Sequence, residues 1–220
     1  MLAVDRYLAT IRSESQALAA AARAGGIDSD ISTCPGWKMG RLVGHVGTVH
    51  QWAAETVRAG QDDPVDGRAL PRPPEGHGVI DWLEEKTAAL VDTLHRIGPE
   101  AKAWNFSGAP NSTHFWFRRM AHETSVHRWD GEHAATGSPA PLDPALAADG
   151  VDEFLEHFLP QDAGQKVPGT IHLHATDIEG SDGEWLITLS PEGSSFTKEH
   201  GKGDVAVRGP ASDLLLLVWN

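Results

Sequence analysis

The apolar residues of this chain recur with two different periods, and the change between them divides the sequence into two parts. In the first part, apolar side chains recur at three- and four-residue intervals, which is typical of helices with one buried face. Beyond the segment GSPAPLDP (137–144), the period becomes two, which is typical of strands. We therefore predict the fold class α plus α+β, with an antiparallel four-helix bundle at 1–137 and a small α+β domain at 145–220.

Glycine, proline and capping residues define the ends of four helices in the first part. The helices are predicted at 3–24, 38–59, 78–97 and 112–135. Between the second and third helices, residues 61–77 are rich in proline and glycine, which predicts a long loop. Loops of this length within a compact domain often take part in function.

The second part combines a helix with short alternating segments. The helix is predicted at 145–158, and strands are predicted at 169–176, 184–190 and 204–209. Because glycine-rich turns separate these segments, we expect the strands to be antiparallel. The final segment, PASDLLLLVWN, reads as a helix that has just begun.

Charge and cysteine content exclude several classes of partner. The formal net charge is −13, with 18 basic against 31 acidic residues, so phosphate backbones and anionic lipid surfaces are poor partners. We therefore expect no binding to nucleic acid or to membranes. The longest apolar run, LLLLVW, is also too short to span a bilayer. The N-terminus lacks the apolar core of a signal peptide, and the single cysteine fits a reducing cytoplasm.

The segment MAHETSVHRWD (120–130) carries a pair of potential metal ligands. Glu123 and His127 lie one helical turn apart, on the face that also carries Trp116 and Met120. The two apolar members indicate that this face points into the bundle, where an unpartnered carboxylate and imidazole would be costly to bury. A solvated or hydrogen-bonded helix face is the alternative interpretation of this spacing.

The second helix offers a third ligand on a face of the same kind. His45 shares its helix face with Leu42, Val49 and Trp52, which are apolar. Three ligands from two facing helices would leave open positions on an ion. The predicted metal ligands are therefore His45, Glu123 and His127.

Four further residues, inside this motif or in the segments before and along the second helix, have both a chemical and a structural interpretation. His50 lies about 140° around the helix from His45, so it is predicted to support the site or to act as an occasional fourth ligand. His122 is expected at the surface or in a hydrogen bond between helices. Asp130 is expected to be a surface acid, with orientation of the His127 imidazole as the alternative. Cys34 is expected to be a small buried residue rather than a nucleophile.

Residues elsewhere are predicted to have structural roles. Trp37 and Trp52 are expected to anchor the core. His172 and His174 share one strand face, which we expect to face solvent or the other domain, with metal binding as the alternative. The serine-containing turn at 193–195 lacks the pattern of a nucleophile, and the sequence assigns no catalytic or cofactor-binding residue.

The motifs resemble a known family. CPGW (34–37), the histidine eight residues after its tryptophan, and HETSVHRWD are similar to the mycothiol-dependent maleylpyruvate isomerase family, a branch of the DinB-like metal-binding four-helix bundles. The segments HLHATD, EWLITLS and DVAVRGPASDLLLLVW are similar to its sterol-carrier-like C-terminal domain. In that family one histidine of the second helix and a glutamate and histidine of the fourth hold the metal, which maps onto His45, Glu123 and His127.

The resemblance implies a divalent metal, zinc in type, whose open position receives a thiol such as mycothiol. The implied reaction is a thiol-dependent isomerisation or an S-transfer on a small electrophilic substrate. Isomerising members carry an arginine beyond the helix that matches LLLLVW; the sequence here ends at Asn220, so this residue is not carried over. The alternative function is a non-catalytic metal-binding or stress-response module with a structural ion. The sequence leaves the oligomeric state open, a homodimer included.

Overall fold

Four long helices dominate the N-terminal part of the computed structural model, which describes residues 1–161 and 167–219. They are α1 (Val4–Gly25), α2 (Met39–Ala59), α3 (Gly78–Ile97) and α4 (Thr113–Thr136). Each begins and ends within one residue of its predicted bounds, and the fold class is confirmed.

Periodic apolar stripes hold the helices together. Apolar residues that recur at three- and four-residue intervals on α1 and α3 are all buried, and removing such side chains from water is the main stabilising term of a bundle. They are Leu8, Ile11, Leu18 and Ala22 on α1, and Ile80, Leu83, Leu90, Val91 and Leu94 on α3.

The direction of the helices refines the predicted antiparallel arrangement. Gly47 of α2 lies against Trp82 of α3, and His50 contacts Thr87 one turn further along both helices, so α2 and α3 run parallel. The bundle therefore runs up, down, down, up. The loop that connects α2 to α3 (60–77) is long because the chain must return along the length of α2, about 30 Å, before α3 begins. Apart from a short 3-10 helix at Gly67–Ala69, this loop is irregular.

A small hairpin that the sequence did not predict connects α1 to α2. Its strands, β1 (Asp30–Ile31) and β2 (Trp37–Lys38), are antiparallel. The Thr33–Gly36 turn between them carries the CPG motif and lies beside α4, because the Thr33 hydroxyl donates a hydrogen bond to Asp130. This hairpin places Thr33 and Cys34 next to Asp130, and Trp37 next to His45.

The C-terminal part contains a sheet, with one helix before its strands in the sequence and one helix after them. Helix α5 (Pro144–Glu153) continues as a π-helical turn over Phe154–Phe158, and α6 spans Ala211–Trp219. In the described part of the chain, four strands form this sheet in the order β5-β4-β3-β6. They are β3 (Gly169–Ala175), β4 (Glu184–Ser190), β5 (Gly193–Thr197) and β6 (Val205–Gly209).

Two sequence predictions about this sheet are wrong. β6 is parallel to β3, not antiparallel, because the chain crosses over after β5 and enters the free edge of β3 in the direction of β3 itself. The serine-containing turn predicted at 193–195 is instead part of a strand, Gly193–Thr197. Its glycine and serines have low strand propensity, and pairing with β4 decides its conformation.

By its packing the chain divides into two compact units, Leu2–Ala140 and Pro141–Asn220 together with Met1. The first contains the bundle, and the second contains the sheet. No helix within residues 1–161 and 167–219 combines the length and apolar character needed to cross a bilayer.

Candidate metal centre and adjacent cleft

The three predicted ligands meet between α2 and α4. The Oε1 atom of Glu123 lies 3.1 Å from Nε2 of His45 and 3.3 Å from Nε2 of His127. The two imidazole rings are 5.1 Å apart, centroid to centroid, in an edge-to-face arrangement. The structure therefore brings together the residues that the helix faces selected in the sequence.

The spacing of the donor atoms fits a tetrahedral ion. Metal–ligand bonds of about 2.0–2.1 Å place neighbouring donors about 3.3 Å apart, and the donors of His45, Glu123 and His127 all lie within 4.8 Å of one another. Two imidazole nitrogens and one carboxylate oxygen form a donor set that zinc accepts. These residues would thus hold an ion without a change of backbone.

Asp130 orients the imidazole of His127. The His127 Nδ1–H group donates a 2.9 Å hydrogen bond to Asp130 Oδ2, and the Thr33 hydroxyl donates to the other carboxylate oxygen at 2.7 Å. Asp130 is only 6% exposed, so the prediction of a surface acid is wrong, and the alternative of an orienting residue is what the structure shows. The arrangement leaves Nε2 of His127 directed at the centre, as in carboxylate–histidine–zinc sites.

Arg119 fixes the other side of the Glu123 carboxylate. Its Nη2 atom lies 3.3 Å from Glu123 Oε2, one helical turn away on α4, and its side chain is only 4% exposed. Arg128, which the sequence also places near the motif, instead pairs with Glu14 and Glu132 and so serves the bundle.

Proton and charge distribution in the metal-free centre follow from these contacts. Burial acts to raise the pKa of Glu123, but hydrogen bonds and charge from His127, with His45 and Arg119, hold it well below the ordinary value. Burial acts to lower the pKa of His127, but Asp130 and Glu123 raise it to about 9. At neutral pH His127 is therefore an imidazolium between two carboxylates.

His50 lies outside the donor set. Its Nδ1 atom is 3.0 Å from the Thr87 hydroxyl and its Nε2 atom is 2.9 Å from the Thr124 hydroxyl, so both ring nitrogens are engaged. Burial lowers the pKa of His50 to about 4, which keeps it neutral. Ligation would require these bonds to break, so His50 supports α2, α3 and α4 rather than completing the centre.

The structure excludes one alternative for His122 and corrects the expectation for Cys34. His122 is fully buried against the ring of Tyr7, at 6.2 Å between centroids, so its surface interpretation is excluded. Cys34 is half-buried rather than buried; its Sγ atom lies 3.9 Å from Asp130, and burial together with that carboxylate raises the pKa of the thiol. A raised thiol pKa agrees with the expectation that Cys34 is no nucleophile.

A cleft of about 340 Å³ opens beside His45. Its wall includes Trp37, whose ring lies 5.2 Å from that of His45, and Arg41, whose guanidinium carbon lies 4.3 Å from the centre of the Trp37 ring. Arg72 and Pro73 of the proline-rich loop also line the cleft. Throughout the described residues, neither arginine forms an ion pair with a carboxylate.

The two tryptophans predicted to anchor the core pack against it without being fully buried, and Trp37 contacts the apolar cluster of the bundle. Trp37 is half-buried at the cleft, and Trp52 is half-buried with its ring against Trp116 and Trp104. Sequence reasoning did not identify Trp37, Arg41 or Arg72 as site residues. The signal that points to Arg72 is the long loop rich in proline and glycine, since loops of this length often take part in function.

Comparisons with known proteins agree with this architecture. The model of the mycothiol maleylpyruvate isomerase N-terminal domain matches residues 8–131, and the model of the MDMPI C-terminal domain matches residues 145–220. Among solved structures, one described as the crystal structure of the mycothiol-dependent maleylpyruvate isomerase is similar, with a TM-score of 0.65 and 13% sequence identity. The similarity covers 99% of this chain and 89% of that one, and at this identity it shows the fold. No curated protein sequence matches. From the two domain matches, the chain belongs to the mycothiol maleylpyruvate isomerase family.

Proposed function

We propose that this protein is a metal- and thiol-dependent enzyme that acts on a small, acidic, electrophilic substrate. The ligands of the ion would be His45, Glu123 and His127, and the ion would be zinc. One observation carries the proposal: His45 belongs both to the three-donor cluster and to the wall of the cleft that contains Arg41 and Arg72.

An open coordination position on the ion distinguishes a catalytic metal site from a structural one. Structural zinc sites are closed by four protein ligands, whereas catalytic sites keep three and leave a position for an exogenous ligand. Among the described residues, the cluster around Glu123 contains three such donors, and the nitrogens of His50 bond to threonines. The His45 side chain is 34% exposed, so an incoming molecule has access to its side of the centre.

The side chains of this chain have separable roles in such a site. A bound zinc ion would favour the thiolate form of a thiol at neutral pH and polarise a nearby carbonyl. Asp130 holds the Nδ1 proton of His127, and Arg119 holds one oxygen of Glu123, so that both ligands keep their orientation. Arg41 and Arg72 would bind carboxylates of the substrate, because a guanidinium pairs with a carboxylate through two hydrogen bonds.

The family suggests mycothiol as the thiol and a cis-to-trans isomerisation as the first reaction to examine. The thiol would supply a nucleophile that adds reversibly to one carbon of an activated cis double bond, so that the remaining single bond can rotate before the thiolate is expelled and the trans double bond forms. In an S-transfer it would instead form a lasting C–S bond while the leaving group of the electrophile departs, or while a proton is taken up where the thiol adds to a double bond. A thiol cofactor also fits the cytoplasmic location expected from the single cysteine.

The test combines metal analysis with an assay of both reactions. The purified, zinc-loaded protein is incubated with mycothiol and maleylpyruvate, and the cis and trans isomers and any thiol adduct are followed by proton NMR and mass spectrometry. We expect turnover by the wild type. In His45→Ala and in His127→Ala, we expect turnover to be lost and the zinc content to fall by one equivalent. His95→Ala, an exposed histidine on α3, is the matched control.

The two functional hypotheses predict different outcomes of a thiol titration. With Co²⁺ in place of zinc, mycothiol should change the visible spectrum of the wild type if the thiol reaches the centre. If the spectrum stays unchanged and neither reaction is seen, the ion is structural and the non-catalytic alternative is correct. If His45→Ala and His127→Ala keep their full metal content, the ligand assignment is wrong.

A further inference from the structure

A second convergence of potential metal ligands lies within the C-terminal unit, on one face of its sheet. Strand alternation places His172 and His174 on the same face of β3. The antiparallel register with β4 sets Glu184 directly opposite His174, which directs its carboxylate towards both imidazoles. His172 is buried, so the expectation that this face points to solvent is wrong for that residue.

The crossover between β5 and β6 adds a third imidazole from above the sheet. Two glycines allow the crossover to lie this close: a Cβ on Gly201 would be 2.8 Å from a methyl of Leu186, and one on Gly203 would be 2.8 Å from the backbone nitrogen of His172. At the end of the crossover, Asp204 accepts hydrogen bonds from the backbone and hydroxyl of Thr170, both 2.8 Å long. The position of His200 is thereby fixed by packing on the sheet.

The donor atoms have the separations expected around an ion. Oε2 of Glu184 lies 2.7 Å from Nε2 of His172 and 2.8 Å from Nδ1 of His200, and Oε1 lies 3.7 Å from Nδ1 of His174. All four donors lie within 4.8 Å of one another. Tetrahedral zinc places its ligands about 3.3 Å apart, which lies within the range of these separations.

A hydrogen-bond network alone does not explain all members of this cluster. Glu184 Oε2 already accepts from two imidazoles, and His174 approaches the other oxygen at a distance too long for a hydrogen bond. His200, whose side chain is 77% exposed, provides the entry path for an ion.

We propose that His172, His174, Glu184 and His200 form a second binding site for a divalent transition-metal ion, with zinc as the best match to three imidazoles and one carboxylate. The four protein ligands make it a closed site. By that criterion its ion stabilises the sheet and the crossover rather than reacting with substrate. This proposal is independent of the function proposed for the bundle.

The test measures how many zinc ions bind when the bundle centre is disabled. Full-length His45→Ala/His127→Ala protein is stripped of metal, dialysed against a zinc buffer, and analysed for metal per chain. We expect one zinc ion per chain in this variant, and none after the further change His172→Ala/His174→Ala. His77→Ala/His95→Ala replaces one histidine just before α3 and one on it, neither of which belongs to a donor cluster of the described residues, and should leave the zinc content unchanged.

A milder variant guards against misfolding, because His172→Ala removes a buried ring. His200→Ala changes an exposed side chain and should weaken zinc binding by about tenfold or more, with an unchanged circular dichroism spectrum. Zinc content of zero in His45→Ala/His127→Ala with a folded C-terminal unit would overturn the proposal, and so would full zinc affinity in His200→Ala. Neither result would bear on the site formed by His45, Glu123 and His127 in the bundle. That site is tested separately, by the catalytic activity of the wild type.

Discussion

Metal binding at the bundle centre should depend steeply on pH, because an ion and a proton compete for the same nitrogen of His127. Asp130 occupies the Nδ1–H group of this imidazole, so the nitrogen that faces Glu123 and His45 is Nε2. In the metal-free protein Nε2 carries a proton up to a pKa of about 9. Since only the neutral imidazole ligates a metal, each binding event must release that proton.

The pKa of His127 sets the magnitude of the effect. At pH 7 only about 1% of His127 is neutral, which weakens the apparent affinity about 100-fold, or by about 3 kcal/mol. The apparent dissociation constant should therefore fall about tenfold per pH unit between pH 7.0 and 8.5, about 30-fold in all. Ordinary histidines, with a pKa of about 6.5, are already neutral in this window and contribute little.

Competition titrations with a zinc chelator of known pH dependence would measure this slope. Calorimetry in buffers of different ionisation enthalpy would give the number of protons released, which we expect to be close to one at pH 7. Using the His172→Ala/His174→Ala background confines the measurement to the bundle centre. Asp130→Asn removes a contact that raises the pKa of His127, so it should reduce the proton release and flatten the slope.

A dissociation constant that changes less than twofold between pH 7.0 and 8.5 would refute this reasoning. So would an Asp130→Asn variant that releases as many protons as the wild type. In that case either His127 is not a ligand or its imidazole is neutral in the metal-free protein. The two explanations are separated by His127→Ala, which should lose the ion only if His127 is a ligand.

Three further predictions concern stability and substrate binding. Because burial lowers the pKa of His50 to about 4, the unfolded chain takes up a proton below pH 6.5 that the folded chain does not. The free energy of unfolding should therefore fall by roughly 3 kcal/mol as the pH drops from 6.5 to 4. Urea unfolding of His50→Gln should show a smaller decrease over the same pH range. Arg72→Gln should raise KM for an acidic substrate about tenfold with the zinc content unchanged, whereas Arg96→Gln on α3 should change neither. Trp116→Ala, which truncates a fully buried ring, should lower the free energy of unfolding by about 3–5 kcal/mol in chemical denaturation.

The helices and the proximity of the three potential donors were predictable because both depend on local spacing. Gly60 ends α2 and Gly137 ends α4 in left-handed conformations that favour glycine, so the sequence marks these ends directly. Glu123 and His127 had to share a face at a four-residue interval, and the apolar neighbours of His45 indicated which side of α2 faces the interior. Such inferences need the period of one helix and no knowledge of the tertiary fold.

The remaining features depend on contacts between residues distant in sequence. Asp130 reads as a surface acid until the β1–β2 hairpin places Thr33 against it, 97 positions away. The parallel pairing of β6 with β3 follows from a crossover whose course depends on the close approach of Gly201 and Gly203 to the sheet. No local pattern encodes these approaches, so sequence reasoning could not supply them.

The charges around the bundle centre indicate which molecules it would select. Two neutral imidazoles and one carboxylate leave a divalent ion with a net charge of about +1, which favours an anionic fourth ligand such as a thiolate over a neutral one. Arg41 and Arg72 add two positive charges to the cleft of a protein whose net charge is −13. A small anion is repelled by most of this surface and attracted to the cleft, so charge should both steer a carboxylate to His45 and reject it elsewhere. Since ions screen such steering, the second-order rate constant for an acidic substrate should fall with ionic strength, and Arg41→Gln together with Arg72→Gln should remove that dependence.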